Sequence, residues 1–238
     1  MKTFPTYFFP LLLIACEPKQ QEESMTIKYP QTRMDQVVDT LWGEAVPDPY
    51  RWLEDDRAEE TTAWVKEQNA VTRGFLDSIP FRSAIRERYK ELYNYEKVSS
   101  PYKVGDWYFI YKNDGLQNQD VIYVREGRNG EDKVFIDPNK LSTDGTVTMN
   151  LMGASDNNKY MAVVRNEAGS DWGQIRVMDI ATGEETGDEL KWVKFSGAAW
   201  HNNGFFYSRY PAPKEGSELS AENTFHRVYY HELGTSQD

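Results

Sequence analysis

SDNNKYMAVVR (155–165) sets two asparagines in a tight turn before an alternating apolar segment, and WHNNGFFYSRY (200–210) does the same. Asparagine tolerates the left-handed backbone such turns need, so each stretch reads as a turn feeding a strand. A second match follows in the same order. IRVMDIATGEE (175–185) and HRVYYHELGTS (226–236) are each a strand ending in a glycine turn, at Thr182-Gly183 and Leu233-Gly234. The two matches recur after about 45 to 51 residues, the size of a four-stranded propeller blade. Two matches in order predict a β-propeller; a sandwich of meandering strands is the alternative that the pattern alone leaves open.

Upstream of the repeat the period is also 2. DWYFIYKN (106–113), QDVIYVRE (119–126) and KVFIDP (133–138) read as strands, separated by Asn113-Asp114-Gly115 and Asn129-Gly130. No helical segment lies between them, so the sheet is expected to be antiparallel rather than built from strand–helix units. A propeller hides its strand edges by closing a ring of several blades. Residues 100–238 supply about two and a half blades. The expectation is a piece of a longer protein.

Before residue 100 the period is helical. Trp64, Val71 and Phe75 share one side of a helix predicted over about 60–77, with Asp56 as the expected N-cap and Glu59 as its reciprocal partner. Pro80 ends it. Phe81, Ile85, Tyr89 and Leu92 then repeat at helical spacing, predicting a second helix over about 81–94. Residues 29–47 read as irregular, with one helical turn over about Met34–Thr40. DPYRWLEDD (48–56) joins the two regions. Pro47 and Pro49 restrict its backbone, so Tyr50, Trp52 and Leu53 can pack while the acids stay in water. Arg51 is expected to pair with Asp48 or Asp55.

MKTFPTYFFPLLLIAC opens with one basic residue and a short apolar run that is too short to span a bilayer. It reads as a secretory signal, and Leu13-Ile14-Ala15-Cys16 resembles a bacterial lipoprotein box in which the Cys16 thiol receives lipid. That gives a signal over 1–15, a flexible tether over 16–28, and an exported protein, periplasmic or anchored at the outer membrane through Cys16. Cys16 is the sole cysteine, so intrachain disulfides and a cysteine-built zinc site are excluded. The net charge of −11 argues against nucleic acid or acidic lipid as a partner.

Several long blocks together resemble one family. DPYRWLEDD with the helix behind it, GLQNQ (115–119), FIDPNKLSTDGT (135–146), AGSDWGQIRVMD (168–179), VKFSGAAW (193–200) and VYYHELGTSQD (228–238) are similar, in this order, to the amino-terminal part of prolyl oligopeptidase. The resemblance covers about residues 27–238. It implies a serine peptidase that cuts short peptides after proline, with no metal or organic cofactor. A seven-bladed propeller would cap an α/β-hydrolase domain carrying a Ser-Asp-His triad. Residues 29–99 would be the helical arm packing on that peptidase domain, which lies in a carboxy-terminal region beyond these residues. Residues 100–238 would begin the propeller. The family's cavity-lining phenylalanine, preceded by lysine, falls on Phe195 and Lys194 in VKFS. Alternation in a sheet core explains the same residues without a pocket.

No Gly-x-Ser-x-Gly elbow occurs in the sequence. Ser155 and Ser196 sit at predicted strand boundaries. His201, His226 and His231 read as surface or packing residues, and His231-Glu232 does not continue as a zincin motif. The acidic runs at 54–56 and 184–189 read as solvated faces. The chain is therefore expected to be inactive alone. The alternatives are a lipid-anchored propeller that binds peptides or a protein partner without catalysis, and a sugar-active propeller enzyme working through a paired acid and base.

Overall fold

The computed structural model describes residues 27–237. A hairpin comes first: β1 (Val38–Leu41) pairs antiparallel with β2 (Glu44–Pro47). The helical turn expected at Met34–Thr40 is therefore absent. A tight turn wins because Trp42 and Gly43 both take left-handed backbone, φ 51° and 89°, which reverses the chain in two residues.

DPYRWLEDD forms a short 3-10 helix, Arg51–Glu54. Arg51 Nε bonds Asp48 at 2.6 Å, and its guanidinium also pairs with Asp39 across the hairpin rather than with Asp55. Trp52 is half-buried against its own segment. Its Nε1 donates to the Arg33 carbonyl at 3.0 Å, and the Arg33 guanidinium lies 4.7 Å from the ring centroid.

Helix α1 runs Glu59–Asp77 and α2 runs Arg82–Tyr93. The N-cap of α1 is Ala58, with no side-chain cap bond, rather than Asp56. Asp55 instead accepts from the Arg57 N–H at 3.1 Å, a local turn that occupies the residues just ahead of the helix. On α1 the less exposed face carries Thr61, Trp64, Val71 and Phe75, as the periodicity predicts. On α2 the predicted stripe exists but stays uncovered: Phe81, Ile85, Tyr89 and Leu92 are each about 60% exposed.

Three antiparallel sheets follow in chain order. The first contains β3 (Lys97–Val98), β4 (Tyr102–Val104), β5 (Trp107–Asn113), β6 (Val121–Glu126) and β7 (Lys133–Ile136). β5 is its hub, pairing with β3, β4 and β6. The second is a four-stranded meander of β8 (Thr148–Ala154), β9 (Tyr160–Asn166), β10 (Gly173–Asp179) and β11 (Glu185–Val193). The third is β12 (Ala199–His201), β13 (Gly204–Arg209) and β14 (Arg227–Glu232).

The repeat is visible in the backbone. Asn158 and Asn202 are left-handed in the two asparagine turns, at φ 59° and 53°. Gly183 and Gly234 occupy the two glycine turns at φ 73° and 78°. The third sheet thus repeats the first three strands of the second.

The sheets pack face to face. Phe109, Ile122 and Phe135 of the first meet Met149, Met161, Val163 and Met178 of the second. Ala162, Ile175, Val177 and Leu190 on the other face of the second sheet meet Phe205 and Tyr207 of the third. Burial on both faces explains why Met161-Ala162-Val163 is an unbroken apolar run. Each large side chain sealed this way contributes roughly 1.5–3 kcal/mol.

One buried polar link crosses from the second sheet to the third. His231 Nε2 lies 2.7 Å from Asp188 Oδ1, and both side chains are only 2% exposed. The same carboxylate accepts from Thr186 Oγ1 at 2.6 Å and from the Gly234 N–H at 2.8 Å. Burial pushes the Asp188 carboxyl up. The bonds from Thr186 and Gly234, with His231 beside it, outweigh that and hold it below the usual carboxylate range.

Candidate functional site

The site sits where β11 runs out. Two bulky residues near this exit are left-handed, Trp192 at φ 61° and Phe195 at φ 51°. Such backbone is costly for a side chain with a Cβ, and it persists only where neighbours hold it. The neighbours are identifiable. Val193, between the two, is 2% exposed and anchored in the second core. Ser196 Oγ accepts from the Ser208 N–H at 2.8 Å and donates to the Gly197 carbonyl at 2.8 Å. Phe195 is then pushed outward, with 83% of its surface exposed. It is not sheet core.

Phe195 stands on the rim of an open cleft of about 380 Å³, lined also by Thr148, Val164, Asn166, Asp171 and Lys194. The far wall is the hairpin between β9 and β10. Asn166 Nδ2 donates to the carbonyls of Ser170 (3.3 Å) and Trp172 (3.1 Å), which folds the hairpin back on itself. Gly173 lets the wall close: a Cβ there would lie 2.7 Å from Val164 Cγ2.

Lys194 behaves differently from Phe195. Its Nζ lies 3.8 Å from the centroid of the Trp172 ring and donates to Asn223 Oδ1 at 3.2 Å. Trp172 is itself boxed edge-on by Trp192 (5.6 Å) and Tyr210 (6.1 Å). Trp172 and Asn223 were not singled out from the sequence. Trp172 lies in the AGSDWGQIRVMD block, but only the fold brings it under the lysine.

The histidines are held by packing. His201 and His226 are exposed, His226 stacked on Tyr210 at 4.3 Å, and His231 is buried with Asp188. The Asp188–His231 pair has the chemistry of part of a triad, yet substrate does not reach side chains this buried. Ser155 Oγ serves its turn, accepting from the Tyr160 N–H at 2.9 Å and donating to Asn157 at 2.7 Å. Among the described residues no group of three or more His, Cys, Asp or Glu is placed to hold a metal ion. No described helix is long and apolar enough to cross a membrane. Cys16, with its signal, lies outside the described residues.

Residues 29–238 match the family described as "Prolyl oligopeptidase, N-terminal beta-propeller domain", which identifies the stacked antiparallel sheets as propeller rather than sandwich. The chain belongs to the prolyl oligopeptidase family. It is 45% identical over 217 residues to a prolyl endopeptidase of Elizabethkingia miricola, covering 91% of this chain and 31% of that protein. It is 35% identical over 243 residues to prolyl oligopeptidase A of Amanita bisporigera, covering 88% of this chain and 32% of that one. Among solved structures, one from a study of two prolyl endopeptidases and their inter-domain dynamics superposes with a TM-score of 0.76. It is 35% identical, with 88% of this chain and 31% of that chain covered. Prolyl oligopeptidase B from Galerina marginata, bound to a 25mer macrocyclization substrate, gives a TM-score of 0.72 at 29% identity, with 89% of this chain and 33% of that chain covered. The chain thus spans about a third of the length of the curated relatives it matches.

Proposed function

We propose that this chain is the amino-terminal part of a serine-type prolyl oligopeptidase that cleaves short peptides after proline. In this reading residues 29–99 are a helical arm that packs on an α/β-hydrolase domain, and residues 100–238 begin a seven-bladed propeller that caps it. The Ser-Asp-His triad comes from polypeptide beyond these 238 residues, so the chain alone is inactive. The observation that carries the reading is α2. It has the apolar periodicity of a packed helix, its stripe is about 60% exposed, and the chain accounts for only 31% of a prolyl endopeptidase relative. A stripe of four large apolar side chains in water favours a partner surface.

In the same reading Phe195 offers an apolar wall to the bound peptide. Its left-handed backbone and outward placement support that role, since strained exposed residues concentrate at binding sites. Lys194 lines the same cleft. Residues 1–15 act as a lipoprotein-type signal and 16–28 as a tether. Cys16 carries the lipid, and the protein is exported to the periplasm or the outer membrane. Labelling with a radioactive fatty acid tests this: Cys16→Ala abolishes incorporation, and incorporation that survives the change removes the anchor from the proposal.

The activity test compares two purified proteins. The 238-residue chain releases no product from a chromogenic prolyl peptide and takes no fluorophosphonate label. A protein extended to the length of its relatives does both, and Phe195→Ala in it raises KM about tenfold, the loss of one apolar contact. Stoichiometric labelling of a serine within the 238 residues would falsify the proposal. Peptide binding by the extended protein without labelling favours a non-catalytic, lipid-anchored binding module instead.

A further inference from the structure

Residues 210–226 leave β13 and return as β14 through a long excursion over the aromatic box. Its two ends are clasped, with Tyr210 and His226 stacked at 4.3 Å and 15°. The interior is compact: the N–H groups of Ser220 and Ala221 both donate to the Ser217 carbonyl, at 3.2 and 2.8 Å. Two anchors hold the excursion to the cleft. Trp172 Nε1 donates to the Glu218 carbonyl at 2.6 Å, and Lys194 Nζ donates to Asn223. A third contact leaves the sheets altogether. Arg57 Nη2, just ahead of α1, donates to Glu218 Oε2 at 2.9 Å, across 161 positions of chain. The other carboxylate oxygen accepts from the Gly216 N–H at 3.2 Å. Hydrogen bonds from its own N–H and that of Gly216, with Arg57 nearby, hold Glu218 below the usual carboxylate range, so it is charged at neutral pH.

Glu218 therefore belongs to two contacts at once. Its main chain grips the ring that Lys194 covers, and its side chain grips the arm. We propose that residues 210–226 form a strap coupling the position of the helical arm to the cleft around Phe195, with Glu218 as the shared anchor and Arg57, Trp172 and Lys194 as positioning residues. When the arm shifts, Glu218 loses its cation and the strap keeps only its hold on the cleft wall. The wall residues 171–173 and 194–196 then gain freedom. Coupling of this kind is reciprocal, so a peptide that orders the wall tightens the arm. The functional value of the strap rests on the cleft being a peptide site; the coupling itself does not.

Hydrogen–deuterium exchange on the intact chain without peptide tests the coupling. Arg57 is 61% exposed, so its variants retain the fold. Glu218→Gln keeps one oxygen to accept from Gly216 and replaces the charged acceptor of Arg57 with an amide. In Arg57→Ala and in Glu218→Gln, amides 214–222 exchange about two- to fivefold faster, the range one exposed ion pair can supply. Amides 169–173 and 194–196 accelerate with them. Arg57→Lys, which keeps the cation facing Glu218, restores protection in both regions. Unchanged exchange at 214–222 in Arg57→Ala overturns the strap. Faster exchange there with 169–173 and 194–196 unaltered overturns the coupling. Neither result touches the peptidase reading, which stands or falls on the labelling experiment above.

Discussion

Met161-Ala162-Val163 in β9 and Phe205-Phe206-Tyr207 in β13 occupy corresponding strands of two successive sheets, and they meet different surroundings. All three residues of the first triplet are fully buried, because the second sheet has a neighbour on each face. In the second triplet Phe205 and Tyr207 are buried, but Phe206 between them is 43% exposed, alongside Val228 at 71% and Tyr230 at 43%. Hydrophobicity of a strand is thus a statement about how many sheets it serves, and only the environment tells which of its faces is satisfied.

The largest effect that sharpens this contrast is a pair of truncations in neighbouring residues. Phe205→Ala removes a ring with no exposure and costs about 3–5 kcal/mol in denaturant unfolding. Phe206→Ala, on the open face of the same strand, costs about 1 kcal/mol or less. Equal losses would erase the distinction between the faces. Next comes the polar link between the two sheets. His231→Ala leaves a buried carboxylate without its ring partner and costs about 3 kcal/mol, read from the same unfolding curves.

Acid sharpens the comparison further. The Asp188 carboxyl titrates lower in the folded chain than in the unfolded one, whose ordinary value is 3.8. Its contribution to stability is therefore complete above that value and is lost as pH falls below it through the folded value. Asp188→Asn, which cannot titrate, flattens the acid limb of the stability profile below about pH 4 relative to the parent. An unchanged limb would assign the acid sensitivity to other carboxylates. The smallest effect belongs to the exposed pair Arg88–Glu91 on α2, 2.7 Å apart. Arg88→Ala alters stability by about 0.5 kcal/mol or less, and a larger loss would mean that α2 is already docked.

Much of the fold was legible where local chemistry alone decides it. The asparagine and glycine turns are set by backbone sterics, so their recurrence identified the repeated sheet and the order of its strands. The two helices were readable from periodicity to within a residue or so. The misses have a common cause. The β1–β2 hairpin depends on Trp42 adopting φ 51°, a conformation its side chain disfavours and no propensity suggests. The cap of α1 falls on Ala58 rather than Asp56, behind a local turn in which Asp55 accepts from the Arg57 N–H. At the candidate site, Phe195 and Lys194 stood out by family resemblance, but their opposite fates did not. Whether the lysine faces a ligand or an indole is settled by Trp172 and Asn223, which lie on other elements.

The bond between Asp188 and the end of the third sheet also has a timetable. Thr186 is already present when Asp188 is made, whereas His231 and Gly234 are 43 and 46 positions further along. At ribosomal speeds of about 5–20 residues per second, that gap lasts about 2–9 s. During biosynthesis the carboxylate waits without those two partners for that interval, and the flank of the nascent second sheet cannot be sealed until the message for its neighbour has been read.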